Sequence, residues 1–220
     1  MTNDMNASNR IEKTKVFLRE KLKESSFFKE HPALGAYRYE HSIRAANIGK
    51  IIAEKEGLNV ENLILGCLLH DVAYCMTFEE MGDWKNHGRI SAKIARPFLL
   101  ELGLAREDVE EICYGIAIHV DDQADFEGTR TPLALSINDA DNIDRFDAYR
   151  IFEGLKYYEF DSMSLEEKRT FVEDYLHKLE GEYRQVPIAT ETGRHMWLEK
   201  IDFQTEFFKK LLKQIENSYI

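Results

Sequence analysis

Two side chains with metal-binding chemistry, His70 and Asp71, follow directly on the apolar run Leu63 to Leu69. Burying them without a partner would be costly, and an imidazole beside a carboxylate is a pair that a divalent cation takes as ligands. Adjacent helical residues point about 100° apart. His70 and Asp71 therefore cannot share one helix face, but they can straddle one ion whose other ligands come from elsewhere. His41 and Asp141 offer an imidazole and a carboxylate at suitable helical positions. Mixed N and O ligands of this kind suit Mn, Fe, Co, Ni or Zn.

The elements that must position these groups read as helices. Ile11, Val16, Phe17 and Leu22 have the spacing of a first amphipathic helix, which the breaker-rich His31-Pro32-Ala33-Leu34-Gly35 is expected to end. A second helix is predicted over 37–55 with His41 near its start and Gly57 closing it. A third, over 60–74, is apolar nearly all round and should be buried at the centre. Further helices are predicted over 87–102, from His87 to a stop at Gly103, and over 106–120, with His119 near its end. Thr131-Pro132 reads as a cap followed by proline in the first turn of a helix reaching about Arg145, which carries Asp139, Asp141 and Asp144. Ser164-x-x-Glu167 is a capping box for a helix to about Leu179, and a long helix over 191–216 follows. No stretch shows sustained strand alternation, so the fold class is all-α. Without an internal repeat or a Pro- or Gly-rich linker, residues 1–220 read as a single domain.

The order His41, His70-Asp71, Asp141 resembles the HD superfamily of metal-dependent phosphohydrolases, named for a His, a later His-Asp and a still later Asp. Glu40-His41-Ser42-Ile43-Arg44, Leu68-Leu69-His70-Asp71 and Asp139-Ala140-Asp141-Asn142-Ile143-Asp144 carry the likeness, which covers about residues 36–150. It implies an HD-domain helical bundle with additional C-terminal helices over 151–220. Asp141, which follows an alanine as the family's last aspartate commonly does, takes the ligand position rather than Asp139. His87-Gly88 and His119 resemble the extra histidines with which some members bind a second metal. The metal set implied is His41, His70, Asp71, His87, His119 and Asp141, holding one or two ions, with Asp71 bridging where there are two. The sequence departs from the family after His-Asp, where Val72-Ala73-Tyr74 stands in place of a frequent Ile-Gly-Lys. Arg44, Arg89, Lys93 or Arg145 are left as the cations for substrate.

The likeness implies hydrolysis of a phosphate ester or anhydride of a small phosphorylated metabolite, with a nucleotide favoured, by a metal-bound hydroxide. Asp71 and Asp144 are the catalytic carboxylates, Asp144 orienting a histidine from outside the ligand set. The same residues resemble those of HD-fold oxygenases with a mixed-valent di-iron centre, and a catalytically inactive binding module is a third reading. An EF-hand is not supported, because the acidic loop Asp121, Asp122, Asp125 and Glu127 lacks alternating ligands and a central glycine. The motifs GxxxxGK[ST], GxGxxG and GxSxG are absent.

A net charge of −11, from 40 acidic and 29 basic residues, argues against a long nucleic-acid partner. Cys67, Cys75 and Cys113 form no CxxC pair and lie in apolar helical stretches, as reduced core thiols do. Met1 to Asn9 does not read as a secretion signal, and the longest apolar runs are too short for a membrane span, so a cytoplasmic location is expected. The aromatic group Phe152, Tyr157, Tyr158, Phe160, Phe171 and Tyr175 reads as core. The stripe Trp197, Ile201, Phe207, Phe208 and Leu211-Leu212 is expected to pack on the core or on a second copy in a homo-oligomer.

Overall fold

A computed structural model describes residues 2–76, 78 and 83–219, and every regular element among them is helical. The chain divides into two compact units, Met1–Asp144 and Arg145–Ile220. None of the described helices is long and apolar enough to cross a membrane.

The first unit is built around α4 (Val60–Leu69), whose residues from Asn62 to Leu69 are all buried. Its N-terminus is capped by the Asn59 side chain, which accepts from the Asn62 N–H at 3.1 Å. Around it pack α1 (Thr2–Glu24), α3 (Pro32–Glu56) and α6 (Arg106–Ile118), while α5 (His87–Glu101) lies along α6. The last helix of this unit is α7 (Pro132–Arg145), where the Thr131 hydroxyl accepts from the Ala134 N–H at 3.1 Å and Pro132 fills the first turn.

Two boundaries differ from the sequence reading. The first helix ends at Glu24, before the segment from His31 to Gly35: a short α2 (Ser26–Glu30) follows it, His31 alone lies between α2 and α3, and α3 begins at Pro32 and runs through Gly35. Proline costs nothing at a helix start, where its missing N–H would have had no partner. At the other end, α4 stops at Leu69 rather than Tyr74. The chain leaves helical geometry at Asp71 (φ −107°, ψ 13°) and makes a 3₁₀ turn, Val72–Cys75.

Close approach of α6 to α7 depends on Gly115. A Cβ added there would lie 2.6 Å from the Ala134 carbonyl oxygen and 2.7 Å from Ile137 Cδ1. Backbone cannot yield as a flexible side chain does, so the separation that puts α7 beside the core requires glycine.

In the second unit, α8 (Ala148–Tyr157) is capped by Asp147, and α9 (Leu165–Glu180) carries the expected capping box between Ser164 and Glu167. Within this unit α9 packs on α10 (Glu191–Glu216). Trp197, Ile201 and Phe208 of α10 are buried, with Trp197 edge-on to Phe146 and its ring N–H donating to the Tyr183 carbonyl at 2.8 Å. The expected aromatic core is only partly formed. Phe152, Tyr157 and Tyr158 are 62%, 80% and 54% exposed, because α8, absent from the sequence reading, buries only Ile151 fully. Cys67 and Cys113 are buried and Cys75 is half-buried, and all three are free thiols.

The Gly115→Ala substitution is expected to destabilise the chain by about 1–3 kcal/mol through overpacking, whereas Ser164→Ala should cost about 1 kcal/mol through loss of a cap. Urea unfolding of both variants reads the comparison. A Gly115→Ala protein as stable as the parent would mean that α6 and α7 are not held at this separation.

Candidate metal centre

Helix ends do much of the positioning. His70 and His119 occupy the C-terminal caps of α4 and α6, where the last carbonyls have no partner within the helix. Each imidazole donates from Nδ1 to the carbonyl three residues back, His70 to Cys67 and His119 to Ile116, both at 2.7 Å. His87 opens α5 and donates from Nδ1 to the Trp84 carbonyl in the turn before it. His41 lies in the body of α3, where carbonyls are already bonded, and instead donates from Nδ1 to Asp144 Oδ2 at 2.7 Å. Asp144 is fixed in turn by Arg44, whose Nε and a terminal nitrogen donate to its two oxygens at 2.7 and 3.1 Å. With every Nδ1 a donor, the neutral form of each imidazole has its lone pair on Nε2.

These Nε2 atoms converge in pairs. His41 and His70 approach to 3.2 Å, His87 and His119 to 3.1 Å. Two lone pairs at such distances repel unless a proton or a cation lies with them. Carboxylate oxygens complete the set. Asp141 Oδ1 is 3.0 Å from His41 Nε2 and 3.7 Å from His70 Nε2. Asp71 faces both pairs: Oδ2 lies 3.4 Å from His70 Nε2 and 3.7 Å from His41 Nε2, and Oδ1 lies 3.2 Å from His87 Nε2 and 3.7 Å from His119 Nε2. Among the described residues, three overlapping groups have the donors for an ion: His41, His70 and Asp71; His70, His119 and Asp141; Asp71, His87 and His119. All six residues are buried, and imidazole nitrogen with carboxylate oxygen fits a divalent transition metal.

Burial alone would raise the Asp71 pKa, but His70 and Arg38 outweigh it and hold the carboxyl well below the usual range. Burial lowers His70, yet Asp71 and Asp141 push it up to about 10. His41 is raised against its own burial by Asp141 and Asp144, whereas burial prevails at His119 and lowers it. Without a cation, protons on imidazoles therefore balance the carboxylates. A metal ion supplies that positive charge instead and releases protons as it binds.

The approach of α5 to α6 requires Gly88, next to His87. A Cβ there would lie 2.7 Å from the Ala117 carbonyl oxygen, 2.9 Å from the Ile116 carbonyl oxygen and 3.1 Å from His119 Nδ1. It would press on the carbonyl that orients His119.

Among the other residues singled out in the sequence, Asp139 is buried on α7 but belongs to none of the three groups. Arg89 is bonded to Asp121 at 2.9 Å, Lys93 to Asp125 at 2.6 Å, and Arg145 is the first residue of the second unit. Sequence reasoning missed Arg38, which donates to Asp71 Oδ2 and lies over the Tyr74 ring. Its signal was the spacing to His41: three residues apart on α3, the two share a helix face.

The HD domain family model matches residues 38–147. Three crystal structures have a similar fold. A predicted HD superfamily hydrolase from an uncultured Thermotogales bacterium is 21% identical, with a TM-score of 0.63, 92% of this chain and 91% of that one covered. YpgQ of Bacillus subtilis in complex with ADP is 16% identical (TM-score 0.64; 95% and 96% covered). An HD-superfamily hydrolase from Bacillus thuringiensis is 19% identical (TM-score 0.66; 97% and 100% covered). No curated protein sequence matches the chain.

Gly88→Ala is expected to weaken metal binding at the His87 and His119 side by about 10–100-fold, as loss of a supporting contact does, while leaving the His41, His70 and Asp141 side near its parent affinity. Metal titration by calorimetry checks this. Equal weakening of both sides would show that Gly88 acts on the whole fold rather than on one helix pair.

Proposed function

This chain belongs to the HD domain family, and from that membership we propose that it is a metal-dependent phosphohydrolase acting on a small phosphorylated metabolite, with a nucleotide the favoured class. The observation that carries the reading is Asp71, one oxygen toward His41 and His70 and the other toward His87 and His119. This supports two ions bridged by one carboxylate. When bound, such ions lower the pKa of water from 15.7 toward about 7 and neutralise phosphoryl charge.

The chain's own residues do the rest. In this reading His41, His70 and Asp141 would hold one ion, His87 and His119 the other, and Asp71 would serve both. Asp144 holds the His41 imidazole in one tautomer and orientation, and Arg44 holds Asp144, so both act on the reaction through His41. Arg38, a quarter exposed, bonds Asp71 through one of its N–H groups and brings a fixed positive charge to the centre where an anionic substrate needs one. Arg89 and Lys93 bring positive charge to the acidic loop, paired with Asp121 and Asp125. The nucleotide class is supported by the ADP bound to YpgQ of Bacillus subtilis, a protein of similar fold.

The test is metal content of the full chain purified without added metal, followed by anaerobic phosphate release from nucleotides and simple phosphoesters with Mn or Co. About two ions per chain, loss of metal in His70→Ala, and phosphate release without oxygen are the expected results for a two-metal hydrolase. Oxygen consumption with iron alone, and no phosphate release, would replace this reading by the di-iron oxygenase. Intact metal binding with neither activity would leave the binding module.

A further inference from the structure

Tyr74 stands on the 3₁₀ turn that leads out of Asp71, three residues after it. The turn is tied to α5 by the Ala73 N–H, which donates to the buried Ser91 Oγ at 3.0 Å. A tyrosine brings no charge to this position, but it brings a flat face. The Arg38 guanidinium carbon lies 3.9 Å from the ring centroid, within cation–π range. The His87 ring lies 5.2 Å from the same centroid, tilted by 52°.

Arg38 and His87 stand at opposite oxygens of one carboxylate. Arg38 donates to Asp71 Oδ2, and His87 Nε2 is 3.2 Å from Asp71 Oδ1. Rotation of the Asp71 carboxylate about its Cβ–Cγ bond would carry Oδ2 away from His41 and His70 and Oδ1 away from His87 and His119. Whatever fixes the partners of both oxygens fixes that rotation. We infer that Tyr74 is a positioning residue which, through its face on Arg38 and its contact with His87, holds the Asp71 carboxylate with one oxygen toward each side of the centre. The inference rests on the two-ion reading proposed above. In this arrangement the cation beside Asp71 comes from Arg38 on α3, and Tyr74 is the platform that carries it.

The experiment titrates Mn(II) into the metal-free full chain and follows free Mn(II), together with the spin-coupled signal of a carboxylate-bridged pair, by electron paramagnetic resonance. The parent should bind two ions with a coupled signal, and Tyr74→Phe, which keeps the face, should match it. Tyr74→Leu should lose affinity for the second ion by about 10–100-fold, as other supporting contacts to ligands do, and lose the coupled signal while keeping the first ion. Arg38→Met should reproduce the Leu variant. Two ions and an unchanged signal in Tyr74→Leu would overturn the inference, and so would Tyr74→Phe failing like Tyr74→Leu, which would assign the role to the hydroxyl. Loss of both ions together in Tyr74→Leu would equally reject it, as general damage. A parent that binds a single ion rejects the two-ion reading before any variant is compared, whereas a two-ion parent with unaffected variants rejects the role of Tyr74 alone.

Discussion

A buried carboxylate ringed by imidazole nitrogens is the constraint on which the first unit is organised. Asp71 is 3% exposed, and four Nε2 atoms lie within 3.7 Å of its oxygens. Removing such a charge from water costs several kcal/mol even after relaxation, so the fold must supply positive charge at close range. Arg38 provides one fixed cation, and protons or a metal ion on the imidazoles provide the remainder. The helices around Asp71 are thus arranged to bring cationic or cation-binding groups to one point as well as to bury apolar surface.

Helix termini make this arrangement economical in residues. A helix end leaves backbone carbonyls without partners, and a histidine at the end can satisfy one with Nδ1 while presenting Nε2 outward. His70 and His119 do so at the ends of α4 and α6, and His87 does the same with the turn before α5. Each of these interactions uses backbone, which any sequence supplies. Only His41, within a helix, needs a side-chain partner, and there the chain provides Asp144 with Arg44 behind it.

The ligand-bearing elements were legible because their signals are local. The apolar run of α4 predicted a central helix, Thr131-Pro132 marked the start of α7, and Ser164 with Glu167 marked that of α9. Local breaker rules misled at Pro32, since proline next to other breakers reads as a stop although the first turn of a helix tolerates it. The end of α4 differs for another reason: residues 70–74 retain helix-compatible types, but the Ala73 N–H is taken by the Ser91 hydroxyl of α5, a partner distant in sequence. Helix α8 was missed because its aromatic residues look like core, whereas most of them face solvent. Arg38 carries only a weak local signal, its three-residue spacing to His41, and the convergence on Asp71 is what separates it from Arg89 and Lys93, whose partners lie in the acidic loop.

The two sides of the centre are held by different means, and this has a physical consequence. At the His87 and His119 side the tautomers depend on backbone carbonyls and on a helix approach that Gly88 permits, so substitutions there act through geometry. At the His41 side the tautomer depends on an ionised carboxylate, and burial at Asp144 is opposed by His41 and Arg44, which keep its pKa below the ordinary value. An anionic partner on Nδ1 makes Nε2 a stronger donor than a neutral carbonyl does. The His41, His70 and Asp141 side has that polarised imidazole and a carboxylate of its own beside the shared Asp71, so an ion there would have one more anionic ligand than an ion on the other side. The other side, with two imidazoles and the shared oxygen alone, depends more on how Asp71 is turned.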